Sequence, residues 1–300
     1  MIILNEKAKE ILLKELKEKF GKEVTIREIT KDNGMKLTGI EVKENENISP
    51  VLYLENYHSC NDMEELVKRI VYDYERYIAS YPVESLKVSV KNISKDSILN
   101  TAKFILVNTE WNKEEIGKFV SRDLPELGLT ILYYYTIYAD GEVKATSKLK
   151  KDMAEITKVS EEEIYEAAFK NMKSDFNFIN LENIFCVNKN IKEMIKKEEI
   201  FSRTFGMPEM FILTNERGEY GAEQLLNTEL LTEISEELDR DLYIIPSSIN
   251  EIMIMPYFEE CNDFNEFIED VNDSSVPENQ RLANKPFLFK KGEKNLTVIQ

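Results

Sequence analysis

Two apolar runs flank Pro246, Ser247 and Ser248 in the stretch LYIIPSSINEIMIMP. A serine set at a sharp bend between strands can serve as a nucleophile, but acyl transfer also needs a base to take its proton. The chain has a single histidine, His58, far upstream, and neither a GxSxG elbow nor an SxxK pairing accompanies either serine. A hydrolase using His58 with Ser247 or Cys60 therefore requires the fold to unite them. A hairpin requires less: Pro246 stops the first strand, the two hydroxyls satisfy backbone groups of the turn, and Ile252 and Ile254 resume the core.

Other chemistries have thinner support. His58 and Cys60 form an HxC pair, yet no CxxC and no histidine cluster completes the four ligands that zinc prefers. No metal site is expected. The chain contains neither GxGxxG nor GxxxxGK[ST], and its 10 glycines leave few places where backbone amides could close on a phosphate, so no cofactor is expected either. Neighbouring acids such as Glu64 and Glu65 are explained by helix solvation. Tyr133, Tyr134 and Tyr135 alternate across a strand and read as core rather than as a base-stacking platform. The binding candidates are polar residues at strand ends and turns, where binding groups are commonly displayed. They are Glu55, Tyr57 and His58 behind VLYL, Thr214 and Asn215 behind MFIL, and Ser247, Ser248 and Glu251 in the last hairpin. No catalytic residue is assigned, and the reading favours a protein that is not an enzyme.

The elements that must position these residues follow from periodicity and punctuation. Ala8, Ile11, Leu12, Leu16 and Phe20 share a helical stripe ended by Gly21. Two strands meet across Lys31-Asp32-Asn33-Gly34. Another strand follows Pro50, with Val51, Tyr53 and Glu55 on one side, and Asp62 with Glu65 caps a helix over 63–80 that ends before Pro82. Residues 96–109 are ambiguous between helix and strand, although FILVNT favours strand. Asn112 and Glu115 cap a short helix to about Ser121. LTILYYYTIYADGEVKATS supplies central strands with a turn at Asp140-Gly141, and Ser160 with Glu163 opens a further helix. In the last third come the strand MFILTNE, a turn RGEYGA, a helix EQLLNTELLTEISEELD, the 242–256 hairpin, the acidic helix DFNEFIEDVNDS, and short strands about Lys291-Gly292. The expected fold is α+β, with antiparallel sheets, hairpins and interspersed amphipathic helices. An N-terminal lobe over 1–95 and a C-terminal lobe over 96–300 are expected, with an insertion-like segment near 175–200.

Composition narrows the partners. The chain has 300 residues, 42% of them hydrophobic, which suffices for one large domain or two of ordinary size. Its 39 Lys+Arg against 56 Asp+Glu give a formal charge of -17, a field that repels phosphate backbones and anionic membranes. Direct nucleic-acid and membrane binding are disfavoured. A protein partner is expected, and in the sharper version it is a basic nucleic-acid-binding protein or nuclease whose groove accepts rows of carboxylates. Cys60, Cys186 and Cys261 are odd in number and widely spaced, indicating a reducing cytoplasm rather than a disulfide framework. The N-terminus lacks a signal-peptide core, and no apolar run approaches the ~20 residues of a membrane span.

The segments ISPVLYLENYHSCNDMEELVKRI, LTILYYYTIYADGE, VSEEEIYEAAFKNM, MFILTNERGEYGAEQLL, DLYIIPSSINEIMIMP and FIEDVNDSSVPENQRL occur in this order. Together they resemble the bacterial domain-of-unknown-function family 5688, most specifically in PVLYLE from Pro50, in Leu213-Thr214-Asn215, in Pro246-Ser247-Ser248 with Glu251, and in Val271-Asn272. The resemblance spans most of the chain. It implies a Firmicute-like cytoplasmic setting, often near mobile genetic elements, and it brings no catalytic residues with it.

Overall fold

The computed structural model describes residues 5–45, 49–80, 83–140, 143–181, 187–188, 191–195, 210–258 and 264–299. The chain divides into two compact units, one of Met1–Ile93 with Thr136–Thr146, the other of Ser94–Tyr135 with Ser147–Gln300. The described sheets are antiparallel and helices are interspersed among them, an α+β fold.

The first unit begins with α1 (Glu6–Phe20), capped by the Asn5 side chain and closed by Gly21 in the left-handed conformation. Its stripe is centred on Leu12 and Leu16, which are fully buried, while Ile11 is 45% exposed. The helical repeat of about 100° per residue explains this, because Ile11 flanks the 8-12-16-20 row and Leu13 on the other flank packs instead. Strands β1 (Val24–Thr30) and β2 (Lys36–Val42) form the expected hairpin, with Asn33 and Gly34 both at positive φ. Strand β3 (Val51–Tyr53) pairs with β2 but stops sooner than the alternation suggested. The chain winds into a 3-10 turn over Leu54–Tyr57, so Glu55 leaves the strand. Helix α2 (Met63–Ser80) starts where Asp62 accepts the Glu65 amide, and it buries Leu66, Val67, Ile70 and Tyr74 against the sheet. Helix α3 (Val83–Lys91) follows.

The second unit resolves the ambiguous segment into both alternatives. Helix α4 (Lys95–Thr101), capped by Ser94, runs directly into β4 (Lys103–Asn108). Helix α5 is only Lys113–Ile116, and Asn112 does not cap it through its side chain. Asn112 is buried and turns back to donate to the Asn108 carbonyl at 2.8 Å, while the Asn108 side chain takes the Glu110 and Trp111 amides. Strands β5 (Ser121–Leu124), β6 (Leu129–Asp140) and β7 (Val143–Lys148) complete a four-stranded sheet with β6 between β4 and β5. Gly141, in the expected turn, lies outside the described residues. Tyr133, Tyr134 and Tyr135 are all buried because both faces of this sheet are covered. Tyr134 joins Ile105, Val107 and Leu132, whereas Tyr133 meets Phe104 on the face covered by α7 (Glu161–Met172), which follows α6 (Lys151–Thr157). Arg122 of β5 clamps Glu161 at the start of α7 through two bonds of 2.8 and 2.7 Å and lies over the Tyr165 ring.

The larger sheet has the order β14-β13-β11-β12-β10-β8-β9. Its strands are β8 (Asn177–Asn180), β9 (Val187–Asn188), β10 (Phe211–Thr214), β11 (Leu242–Ser248), β12 (Glu251–Pro256), β13 (Phe287–Phe289) and β14 (Leu296–Val298). Part of the insertion-like segment is thus β8, a strand paired with β10. The helices attached to this sheet are α8 (Ile191–Met194), α9 (Thr228–Leu238) and α10 (Phe264–Ser275). The side chains of Tyr243, Ile245 and Met255 pack with Ile268 of α10 on one face. Pro246 does not stop β11. The register shifts between Ile245 and Ser248, so Pro246 and Ser247 oppose Ile252 alone, a bulge that absorbs the missing proline amide.

One interaction yields a pH prediction. Glu163 is held down to about 2 by the Lys95 ammonium first and then by the Ser160 amide and hydroxyl. A carboxyl depressed in the fold contributes stability above its unfolded pKa and loses it as pH falls toward the folded one. Urea midpoints measured from pH 6 down to pH 2 should therefore fall less steeply below about pH 4.5 in Glu163→Gln than in the parent.

Candidate functional site

The polar residues of the second unit converge on one turn. Strand β10 ends at Thr214, whose hydroxyl donates to the Asn250 carbonyl at 2.7 Å. Asn215 follows, almost fully buried, and its carboxamide oxygen accepts the Arg217 and Glu219 amides at 3.2 and 3.3 Å. Its amide donates to the Glu219 carbonyl at 2.7 Å and to Glu223 Oε1 at 3.3 Å. The chain then turns through Tyr220 at φ 57 and enters a 3-10 turn over Gly221–Leu226. The expected helix from Glu223 therefore begins only at Thr228, where Asn227 accepts the Leu230 amide. The apolar spacing of Leu225, Leu226 and Leu230 fits a helix, but residues 221–226 are tied down by tertiary bonds that a continuous helix would not make.

Gly221 has no room for a side chain. A Cβ there would meet Thr214 Oγ1 at 2.1 Å, the Asn250 carbonyl at 2.5 Å and the Asn215 amide at 2.6 Å. Only the missing Cβ lets the turn lie against both β10 and the β11–β12 hairpin. From the hairpin, Asn250 Oδ1 accepts the Tyr220 amide at 3.0 Å and the Ile249 carbonyl accepts the Ala222 amide at 3.3 Å.

At the centre is Glu223, with no solvent exposure. Its Oε2 accepts the Phe104 amide of β4 at 3.1 Å, and Lys103 Nζ lies 4.0 Å from its Oε1. Lys103 also pairs with Asp175, whose other carboxylate oxygen accepts the Glu216 amide. Burial pushes the Lys103 ammonium down, while the Glu223 carboxylate pulls the other way. Burial, and then Glu223, push the Tyr134 phenol upward. Gln224 donates to the Asp175 carbonyl at 2.8 Å, and Asn227 donates to Gln224 at 3.0 Å. This is a lysine and two carboxylates held by hydrogen bonds and ion pairs, with a buried phenol in the field of Glu223, and what the cluster does is join the two sheets of the unit.

The structure brings together part of the expected set. Thr214, Asn215 and Ser248 share the turn, with Ser248 Oγ accepting the Asn250 amide at 3.0 Å. Ser247 donates to Glu251 Oε1 at 3.3 Å across the hairpin. Glu55, Tyr57 and His58 belong to the first unit. There Glu55 accepts the Thr38 amide at 2.8 Å, substituting for the partner strand just beyond β3. Tyr57 is buried, and burial followed by its hydrogen bond to Asp73 raises its phenol pKa. His58 is exposed, with Nδ1 3.1 Å from the Glu55 carbonyl. Cys60 is a buried free thiol whose sulfur lies 4.0 Å from Arg69 Nη1. Among the described residues, no group of three or more His, Cys, Asp or Glu could hold a metal.

Sequence reasoning missed Glu223, Gln224, Asn227, Lys103 and Asp175. The available signal was the dense polar run TNERGEYGAEQ behind an apolar strand, with a glycine between aromatic and small residues. Fold and site together define an α+β protein with three antiparallel sheets among the described residues, two of which, in the second unit, are joined through a buried polar turn. The chain belongs to the family of unknown function DUF5688, whose model matches residues 5–291. No curated protein and no solved structure matches it.

Two substitutions test this account by urea denaturation. Glu223→Ala leaves the buried Phe104 amide without its acceptor and takes from Lys103 the second of its two carboxylates, Asp175 remaining, and should cost about 1–3 kcal/mol. Gly221→Ala forces Thr214 and the hairpin apart and should cost about 1–3 kcal/mol.

Proposed function

We propose that this is a non-enzymatic, cytoplasmic protein that acts by binding another protein through acidic surface. The observation that carries the reading is where the surplus charge stands. Glu233 and Glu236 on α9, and Glu269 and Asp270 on α10, are exposed carboxylates with no cation within ion-pair distance among the described residues. They belong to a chain of formal charge -17. Unpaired carboxylates on rigid helices contribute a long-range field and orient an incoming basic partner at little desolvation cost. No helix among the described residues is long and apolar enough to cross a membrane.

The sharper form makes the partner a nuclease of a host defence system and the protein its inhibitor, encoded on a mobile element or phage. The same carboxylates support it, since a basic nucleic-acid groove is the surface they complement. The alternative hydrolase built on His58 has less support, because Ser247 is bonded to Glu251, Ser248 caps a turn and Cys60 is buried. His58→Ala should leave the biological effect unchanged.

The test is affinity capture of the tagged chain from native-host lysate, followed by titration of the purified partner. Binding should weaken steeply between about 50 mM and about 300 mM salt, and Glu233→Lys with Glu236→Lys should weaken it about tenfold. Salt-independent binding, or binding unaffected by charge reversal, would remove the acidic-surface reading. Inhibition of the captured protein's nuclease activity would establish the sharper form.

A further inference from the structure

Strand β14 ends the seven-stranded sheet on one side, with β13 as its one strand partner among the described residues and the 3-10 turn Pro125–Leu127 packed near it. In an antiparallel ladder the N–H and C=O of one residue point the same way, and successive residues alternate. The Ile299 amide donates to the Pro286 carbonyl, so Thr297 also faces β13, while the backbone groups of Leu296 and Val298 face outward. Beside this edge lies a groove of about 880 Å³, walled by Leu124, Glu126 and Leu127 on one side and by Lys294–Val298 with Lys285 on the other.

The groove inverts the charge of the chain. Lys285 and Lys294 are exposed, and neither lies within ion-pair distance of a carboxylate among the described residues, although the field of Lys294 reaches Glu229. Glu126 is the single acid in the lining. Lysines commonly guard exposed strand edges against pairing with other chains. Here they flank a recess with half-buried Leu124, Leu127, Leu296 and Val298, and a recess for side chains beside outward amides is what strand addition uses.

We propose that the β14 edge is a docking site for an extended acidic peptide segment of a partner protein. The segment adds as a strand outside β14, exchanges backbone hydrogen bonds with Leu296 and Val298, places alternate apolar side chains in the groove and sets its carboxylates against Lys285 and Lys294. This surface differs in sign from the acidic helices of the proposed function, so either can fail without the other.

The test uses the full chain and a fluorescent peptide of alternating Val and Glu, with a Val-Lys peptide and a backbone N-methylated Val-Glu peptide as controls. The Val-Glu peptide should bind saturably at about 50 mM salt, and Lys285→Glu with Lys294→Glu should weaken it about tenfold. Val298→Pro removes an outward amide without touching the β13 ladder and should weaken binding about fivefold. In the unaltered chain, hydrogen exchange should show the Leu296 and Val298 amides gaining protection when peptide is added, a readout that stands if the proline variant fails to fold. No saturation up to about 1 mM peptide overturns the proposal. So does binding that survives N-methylation and Val298→Pro, which marks charge adsorption without strand addition. Sedimentation showing a dimer that Val298→Pro dissociates assigns the edge to a second copy of the chain and likewise overturns it.

Discussion

The second unit is organised around a carboxylate that has left water. Removing Glu223 from solvent costs several kcal/mol unless its oxygens are hydrogen-bonded and its charge is balanced. The Phe104 amide, the Asn215 amide and Lys103 meet that demand, and they come from β4 and from the turn behind β10. Two sheets otherwise held by non-directional apolar packing are thereby fixed in one relation. Gln224 and Asn227 extend the same network to the start of α9.

That constraint explains the backbone around it. Tyr220 occupies the left-handed region, and Gly221 approaches Thr214 and Asn250 too closely for any side chain. Such backbone persists only where its surroundings over-determine it, and here eight or so hydrogen bonds within a few residues do so. Polar residues directly behind a strand mark this turn as a binding candidate in the sequence. In the structure its polar groups bond largely to one another and to Asn250.

Much of the fold could be read from the sequence because its signals are local. Asn33-Gly34 requires positive φ, Ser160 with Glu163 satisfies helix amides within one turn, and the 242–256 hairpin declares itself by apolar runs around polar residues. The structure departs from the local signals where distant residues decide the outcome. Glu55 left its strand for a 3-10 turn and supplied the acceptor for Thr38, Asn112 turned back to Asn108, and the 221–226 segment gave up helix for bonds to β4, β10 and the hairpin. Glu223 looked like any surface acid because nothing nearby in sequence indicates that Phe104 and Lys103 will stand opposite. The candidate site was legible to the extent of Thr214, Asn215 and Ser248, whose turn chemistry is local, and illegible above all in Lys103 and Phe104, which arrive from more than a hundred residues upstream.

The bulge at Pro246 has a further consequence. Strands β11 and β12 carry apolar residues on both faces, as IIP and IMIMP, so sliding one past the other by two residues would still bury hydrophobic side chains. Alternation alone therefore specifies their alignment weakly. Pro246 has no amide to offer a ladder, and only one alignment lays it in the bulge opposite Ile252, where none is required. The proline thus acts as a register key: it contributes little attraction in the correct hairpin and excludes the near-degenerate ones, so that Asn250 arrives at the one height where it can receive Thr214 and Tyr220.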